Sequence, residues 1–165
     1  MQVYFPSYYV DENDETKPDY KKLIEIKNGE ILTKKQASFH PVIHIDTDNS
    51  PHRDDDNNKM KPTILVLYDE TARHLHMLAS GDLNHGKSVN ELIPYKGPNP
   101  PLNSGLHKYN FLLYTSPHSF TPPGEKVDDR IRANFDLEKF EKDNELTPIT
   151  SLYFLTEHPQ LLKKV

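Results

Sequence analysis

The segment between Tyr95 and Tyr114 restricts the fold of this chain more than any other stretch. It begins with a loop in which Pro98, Pro100 and Pro101 fix φ and remove backbone donors, so that no helix can form there. From Leu106 to Tyr114 the chain is rich in aromatic and apolar residues, which predicts a strand. A stiff loop that enters a sheet is therefore expected at this place.

This strand is expected to carry both polar and apolar side chains on one face. Side chains alternate along a strand, which groups four residues: His107, Tyr109, Phe111 and Leu113. A histidine and a tyrosine two positions apart, directly after a stiff loop, indicate the wall of a pocket. The alternative is that both are ordinary half-buried residues of a sheet.

Composition favours a β-rich fold. Fourteen prolines among 165 residues disfavour an all-helical chain and favour strands joined by shaped loops. The length suits one domain, which we place at residues 1–165, and it is sufficient to bury a sizeable core.

Composition also disfavours several classes of function. The net charge of -5 argues against nucleic acid as the main partner. The absence of cysteine excludes disulfides, thiolate metal ligands and cysteine nucleophiles. The first residues lack the pattern of a signal peptide, and no apolar run approaches the roughly 20 residues of a membrane span. A soluble, cytoplasmic protein without a transmembrane segment is expected.

A hairpin and several single strands are predicted outside this segment. Asn28-Gly29, between two segments that carry apolar residues, predicts a hairpin with Ile24 and Ile26 on its buried face. The remaining strand candidates are Phe39–Asp46, which Pro41 confines to a sheet edge or to a strand start, the continuous apolar run Thr63–Tyr68, Leu75–Ala79 and Thr150–Thr156.

Helical structure is predicted at only a few places. Asp136 is placed to cap a helix from Leu137 to about Asn144, in which Glu138 and Lys142 form a favourable pair. One helical turn is expected near Val89–Leu92.

A candidate binding site combines four residues of separate strands: Asp69, His76, His107 and Tyr109. If these strand ends are neighbours, the side chains converge beneath the proline-rich loop. Imidazole and phenol groups can donate hydrogen bonds to a phosphate or another small anion, and backbone N–H groups of the loop can add more. A carboxylate there would orient a histidine, or accept from a ligand ammonium or a protonated phosphate oxygen. The alternative is four unrelated polar residues.

Metal binding and hydrolysis are less well supported. His74 and His76 alternate along a strand, and a further segment supplies other candidate ligands for zinc, iron or manganese: His40, His44, Asp46, Asp48 and His52. No spacing matches a known zinc pattern, so neither a metal nor another cofactor is expected.

A triad of Ser104, His107 and Asp69 is conceivable. However, no G-x-S-x-G is present, and a serine three residues before a histidine is not a signature. A role of Ser104 in the turn is favoured, and the protein is not expected to be an enzyme.

The sequence YKGPNPPLNSGLHKYNFLLY resembles a signature of the phosphatidylethanolamine-binding protein family, Y-x-G-P-x-P-P…G-x-H-R-Y-x-F-L-x-Y, with Lys108 in place of the usual arginine. Other segments resemble the family in the same order: NGEILTKKQ…HPVI, TILVLYD, LHML and NFDLEKF…LTPITSLYF. The resemblance covers about residues 23–156 and indicates a divergent member of this family, which includes proteins similar to Raf kinase inhibitor protein.

The resemblance implies a mainly β fold, in which a large antiparallel sheet packs with a smaller sheet beside one or two short peripheral helices. It also implies an anion pocket for phospholipid headgroups or phosphorylated partners, in proteins that often inhibit kinases or proteases. Carried over by position, the ligand-binding residues are Asp69, His76, Pro100, Pro101, Gly105, His107 and Tyr109.

One motif of the family is altered in this chain. Where the family has D-P-D-A-P, the chain has Asp69-Glu70-Thr71-Ala72-Arg73, so both prolines and the second aspartate are missing. We expect a reshaped pocket wall that is lined by Arg73 or His74 instead.

These observations favour a small soluble binding protein with an anion pocket for phospholipid headgroups or phosphorylated ligands, regulatory or inhibitory toward a signalling protein. A protein-interaction scaffold with an altered or lost pocket is the first alternative, and the acidic run Asp54–Asp56 supports it. A metal-dependent β-barrel enzyme with histidine ligands is the second.

Overall fold

The computed structural model describes residues 1–45, 62–81, 90–118 and 129–159. Within these ranges the chain forms two sheets with short helices beside them. The strands are β1 (Gln2–Val10), β2 (Thr16–Glu25), β3 (Glu30–Ile31), β4 (Val42–His44), β5 (Thr63–Asp69), β6 (His74–Gly81), β7 (Asn90–Ile93), β8 (His107–Thr115) and β9 (Thr147–Thr156). The helices are a 3₁₀ turn (Gln36–Ser38), α1 (Asp129–Arg132) and α2 (Leu137–Asp143).

The larger sheet has the strand order β3-β9-β8-β5-β6-β7 in the part of the chain that the structure describes. Its neighbouring strands are antiparallel, except that β3 runs parallel to β9. β5 lies between β6 and β8, and every one of its residues is buried, as a continuous apolar run predicts. Four predicted strands, those in residues 63–68, 75–79, 106–114 and 150–156, are thus confirmed as β5, β6, β8 and β9.

The smaller sheet, in the order β2-β1-β4, packs on one face of the larger sheet. Val3 and Phe5 of β1 share a buried cluster with residues of β5, β6, β8 and β9. The rings of Phe5 and Phe154 meet edge to face with centroids 5.7 Å apart, a favourable aromatic geometry. β4 is an edge strand that begins directly after Pro41, where a proline is tolerated. The predicted pairing of a large sheet with a small one is confirmed.

The opposite face of the larger sheet is covered by the helical segment. Phe135 and Phe140, whose rings lie 5.3 Å apart, pack there against buried residues of β5 and β6. Asp136 begins α2 as predicted, because its carboxylate accepts a hydrogen bond of 3.0 Å from the backbone N–H of Lys139. This N-cap fixes where the helix starts, and therefore where both phenylalanines meet the sheet.

The ion pair of α2 differs from the prediction. The prediction paired Glu138 with Lys142, whereas the structure pairs Lys139 with Asp143. Both pairs have the same i,i+4 spacing, so the sequence spacing alone did not distinguish them.

The predicted hairpin at Asn28-Gly29 is wrong. The turn itself forms, with Gly29 at a φ of +83°, but β2 belongs to the smaller sheet and β3 to the larger one. The turn is held by β9, since Gly29 N–H donates to the Tyr153 carbonyl at 2.8 Å and the Tyr153 N–H donates to the Asn28 side chain at 3.0 Å. The turn therefore leads the chain from the smaller sheet into the larger one. Ile26 is buried between them, while Ile24 is exposed.

The helical turn predicted near Val89–Leu92 is also wrong, because residues 90–93 form β7. The free edge of β6 supplies backbone partners for this segment, with Leu78 opposite Ile93 and Ser80 opposite Asn90. Edge pairing of this kind overrides weak local preference. The acidic run Asp54–Asp56 and three candidate metal ligands, Asp46, Asp48 and His52, lie outside the described residues. Among the described residues, no helix is both long enough and apolar enough to cross a membrane.

Candidate functional site

The strand register brings the predicted site residues to one end of the larger sheet. Asp69, the last residue of β5, lies directly opposite His74 of β6 on one side and Tyr109 of β8 on the other. A cavity of about 240 Å³ opens there. Its walls include six of the seven residues expected from the sequence: Asp69, His76, Pro100, Pro101, His107 and Tyr109. Gly105, the seventh, is not part of the wall; it follows Ser104 with a φ of +76°.

A β-bulge in β6 directs His76 into the cavity. The register of β5 and β6 shifts between Leu67, which is opposite Met77, and Tyr68, which is opposite Leu75, so that His76 is the extra residue. Bulges of this kind redirect a side chain at the end of a sheet. Met77 joins the core between the two sheets, while His76 lines the cavity. His74 lines it as well, with the two imidazole centroids 4.9 Å apart.

His107 is held by a chain of short hydrogen bonds. Its Nδ1 lies 2.7 Å from Oδ2 of Asp69, and its Nε2 lies 2.8 Å from Oγ of Ser104. A carboxylate can only accept, so Nδ1 carries a proton and donates it to Asp69. Asp69 and His107 are both buried, whereas Ser104 is exposed. In this geometry the Asp69 carboxylate orients the His107 ring, which is one of the roles expected of a carboxylate at the site.

His76 is a neutral ring that donates one hydrogen bond and keeps its second nitrogen as an acceptor. Its Nδ1 lies 2.7 Å from the Lys96 carbonyl oxygen, which can only accept, so the proton sits on Nδ1 and Nε2 keeps its lone pair. Burial lowers the pKa of His76 to about 4, because a charged imidazolium loses its hydration there. At neutral pH, His76 thus offers the cavity an acceptor rather than the donor expected from the sequence.

Tyr109 offers a buried donor. Within the described residues its hydroxyl makes no hydrogen bond of normal geometry, and its ring is fixed by stacking on Phe154 at 5.1 Å. Burial raises the pKa of Tyr109 far above its ordinary value, and the nearby Asp69 carboxylate raises it further. The phenol therefore stays protonated at any physiological pH. An unpaired buried polar atom is uncommon in folded proteins and marks a place where a ligand or water belongs.

The altered motif after β5 makes a tight turn. Oδ1 of Asp69 accepts a hydrogen bond of 2.9 Å from the Ala72 N–H, which is a local turn contact typical of aspartate. Arg73 takes a left-handed φ of +53°, and its carbonyl accepts from Phe135 N–H at 2.9 Å. Ala72 and His74 line the cavity and Arg73 does not. Of the two residues expected to line the reshaped wall, Arg73 and His74, it is His74 that does so.

Sequence reasoning missed two basic residues at the site. Lys96 lines the cavity. Arg132 lies behind it, where its guanidinium donates to the carbonyls of His76 at 2.9 Å and Pro94 at 2.8 Å. Arg132 thereby ties α1 to the bulge and to the loop that follows β7. No local motif identifies it, since its role depends on a contact between distant segments.

No group of three or more histidine, aspartate or glutamate side chains is arranged to hold a metal ion in residues 1–45, 62–81, 90–118 and 129–159. His40 contacts Glu91 instead, and the cavity places His74 and His76 beside aromatic and proline side chains.

Residues 26–160 match the family model of the phosphatidylethanolamine-binding proteins. The chain belongs to this family. The match includes β5, β6, β8 and the loop before β8, so every wall of the cavity lies in the part that carries the family's sequence pattern.

Similar proteins extend the comparison. Carboxypeptidase Y inhibitor of Saccharomyces cerevisiae is 36% identical over 77 residues, which cover 43% of this chain and 35% of the length of that protein. The solved structure of carboxypeptidase Y inhibitor complexed with the cognate proteinase has a TM-score of 0.62 at 22% identity, covering 95% of this chain and 83% of that one.

The phosphatidylethanolamine-binding protein from Plasmodium vivax has a TM-score of 0.58 at 14% identity, covering 95% of this chain and 85% of that one. The one from Plasmodium falciparum has a TM-score of 0.52 at 12% identity, with 94% and 84% covered. At these identities, the structural likeness establishes the fold.

Proposed function

We propose that this protein is a small binding protein whose cavity takes a phosphate-bearing group, either a phospholipid headgroup or a phosphorylated small molecule. The observation that carries the proposal is the buried Tyr109 hydroxyl, which lies beside Asp69 without a hydrogen bond of normal geometry in the described residues, on a residue that lines a cavity of about 240 Å³. A ligand oxygen would satisfy it. Because the phenol resists ionisation, it can donate to an anion without repelling it.

The donors and acceptors of the wall favour a ligand that carries a proton as well as a negative charge. Tyr109 requires an acceptor from the ligand, whereas Nε2 of His76 requires a donor. A singly protonated phosphate meets both requirements with two of its oxygens, and a phosphorylated amine meets them with an oxygen and its ammonium group. Lys96 adds a positive charge at the wall.

The size of the cavity favours a headgroup over an entire lipid. Sites for drug-sized ligands usually enclose about 300–1,000 Å³, and this cavity, of about 240 Å³, is smaller. Pro100 and Pro101 form part of its wall, and their fixed φ angles keep that wall in place. Acyl chains would therefore remain outside.

Titration calorimetry with two ligands tests the proposal. Inorganic phosphate and phosphorylethanolamine are each titrated into the protein, into His107→Ala and into His118→Ala. His118 is an exposed histidine paired with Glu145, and it serves as the matched control. We expect saturable binding that His118→Ala retains and His107→Ala loses. Tighter binding of phosphorylethanolamine would identify a headgroup ligand, and equal binding would identify phosphate itself. Binding that His107→Ala leaves unchanged would contradict the proposal.

Inhibition of a carboxypeptidase is the second candidate function. The similarity to carboxypeptidase Y inhibitor, 36% over 77 residues, favours it. If it holds, purified protein lowers the rate of peptide hydrolysis by carboxypeptidase Y in proportion to the amount added. Full protease activity in the presence of excess protein would remove this candidate.

A further inference from the structure

We propose that Ser104 is a nucleophile activated by His107 and Asp69, so that this protein can be acylated or phosphonylated at one serine. The three side chains form the hydrogen-bonded series of a serine hydrolase, with Ser104 Oγ 2.8 Å from His107 Nε2 and His107 Nδ1 2.7 Å from Asp69 Oδ2. Nucleophile, base and orienting carboxylate are recognised by geometry and not by their position in the sequence. The proposal goes beyond ligand binding and does not require it.

The surroundings of the three residues match their roles. Asp69 is 2% exposed and His107 is 4% exposed, so the base and its partner are shielded from water. The second carboxylate oxygen accepts from the Ala72 N–H at 2.9 Å, which fixes the orientation of the carboxylate. Ser104, in contrast, is exposed, so that an external reagent can reach its hydroxyl.

The hydroxyl proton of Ser104 has two acceptors. Oγ lies 2.7 Å from the Pro101 carbonyl and 2.8 Å from His107 Nε2. When the Nδ1 proton of His107 faces Asp69 and the ring is neutral, Nε2 has a lone pair that can take the Ser104 proton once the hydroxyl turns from the Pro101 carbonyl. The contact with Pro101 is the turn role predicted for this serine, and the contact with His107 is the one that can activate it.

The turn also provides a donor for developing negative charge. None of the described residues accepts a hydrogen bond from the backbone N–H of Gly105, the residue that follows the serine. In hydrolases, the N–H of the residue after the nucleophile commonly stabilises the oxyanion. Leu102 and Leu106, two positions before and after Ser104 in the chain, are 52% and 43% exposed, which favours uncharged esters with apolar groups.

The expected reaction with an ester is an ordinary acyl transfer. Ser104 Oγ bonds to the carbonyl carbon while its proton passes to His107 Nε2. The C–O bond to the leaving alcohol then breaks, and Nε2 returns the proton to that alcohol. Water next attacks the acyl serine, giving up a proton through Nε2 to Ser104, so that the net products are an acid and an alcohol. With a fluorophosphonate, the Oγ–P bond forms as the Oγ proton passes to His107 Nε2, the P–F bond breaks and fluoride leaves with that proton, and the phosphonyl adduct remains on Ser104.

Labelling with an uncharged alkyl fluorophosphonate, followed by intact and peptide mass spectrometry, tests the proposal. Ser38 is the internal control: it is exposed, and its Oγ makes the same turn contact, to the Lys35 carbonyl at 2.7 Å, while no histidine of the described residues forms a hydrogen bond with it. We expect one adduct per chain, on Ser104 and not on Ser38. Without its general base, Ser104 should react more slowly by a factor of about 10² or more.

Three variants complete the design. His107→Gln and Asp69→Asn are each expected to reduce the labelling rate of Ser104, and Ser38→Ala is expected to leave it unchanged. Circular dichroism confirms that each variant is folded before the comparison. Equal labelling of Ser104 and Ser38, or labelling of Ser104 that both variants retain, would overturn the proposal. Failure of phosphate binding in calorimetry would not affect it, because the unaltered protein can be labelled at the exposed Ser104 whether or not the cavity takes phosphate.

Discussion

Replacing Tyr109 by phenylalanine should make the protein more stable and should weaken the binding of its proposed ligand. The change removes only the hydroxyl, and the ring keeps its stacking on Phe154 at 5.1 Å. A buried hydroxyl without a partner costs about 1–3 kcal/mol of stability, and the neighbouring Asp69 carboxylate partly offsets the cost here. We therefore expect stabilisation of about 1 kcal/mol, or roughly 3 °C in Tm for a chain of this length.

The effect on ligand binding should have the opposite sign. A hydrogen bond to a charged group contributes about 1.5–3 kcal/mol, so loss of the hydroxyl should weaken binding of phosphorylethanolamine by about ten- to a hundredfold. Urea unfolding measures the stability, and titration calorimetry measures the affinity.

Tyr68→Phe is the matched control. Tyr68 is also a buried tyrosine of the larger sheet, but it lies in the cluster on the opposite face, where its hydroxyl donates to the Phe135 carbonyl at 3.4 Å. This variant should not gain stability, and its affinity should not change. If Tyr109→Phe instead destabilised the protein by 1 kcal/mol or more, the hydroxyl would have a partner, and the reasoning would fail.

Three other perturbations test the surroundings of the cavity. The pKa of His76 is lowered from 6.5 to about 4, so the folded protein has its full stability above pH 6.5 and loses about 3 kcal/mol of unfolding free energy as the pH falls to 4. In urea unfolding across this range, the stability of His76→Gln should depend less on pH. Arg132→Met should cost about 3 kcal/mol in the same assay, because the buried carbonyls of Leu75 and His76 lose a charged donor, and an unchanged midpoint would contradict that role. In Gly97→Ala, the added Cβ would meet the Ala37 carbonyl oxygen and the Ser38 Cα at 3.0 Å; we expect a loss of about 1–2 kcal/mol, and a Tm equal to that of the unaltered protein would show that the loop can shift.

The strands could be predicted because their signals are local. The run at residues 63–68 is apolar throughout, and it forms a strand buried on both faces. The stiff loop before His107 and the Asp136 cap were equally readable, since proline geometry and side-chain capping act within a few residues. The turn at Asn28-Gly29 was also correct as a turn. Its strands were assigned wrongly because β2 pairs with the preceding strand β1 and β3 pairs with the distant strand β9, so the two do not pair with each other.

The residues of the site could be predicted, but which of them donate and which accept hydrogen bonds could not. Asp69 and Tyr109 meet because β5 and β8 pair in one register, and the family resemblance placed both strands. Whether His76 offers the cavity a donor or an acceptor depends on the bulge in β6 and on the Lys96 carbonyl, and neither has a sequence signal. The contact of Ser104 with His107 likewise depends on how the turn closes.

The most direct test of the binding site is an NMR titration of the histidine ring signals with phosphorylethanolamine at fixed pH. His76 and His107 line the cavity, so their rings, assigned by mutation, should shift together and saturate, while the exposed His118 should not move. If no ring signal moves at millimolar ligand, the cavity does not bind this group, and the account of the site is wrong.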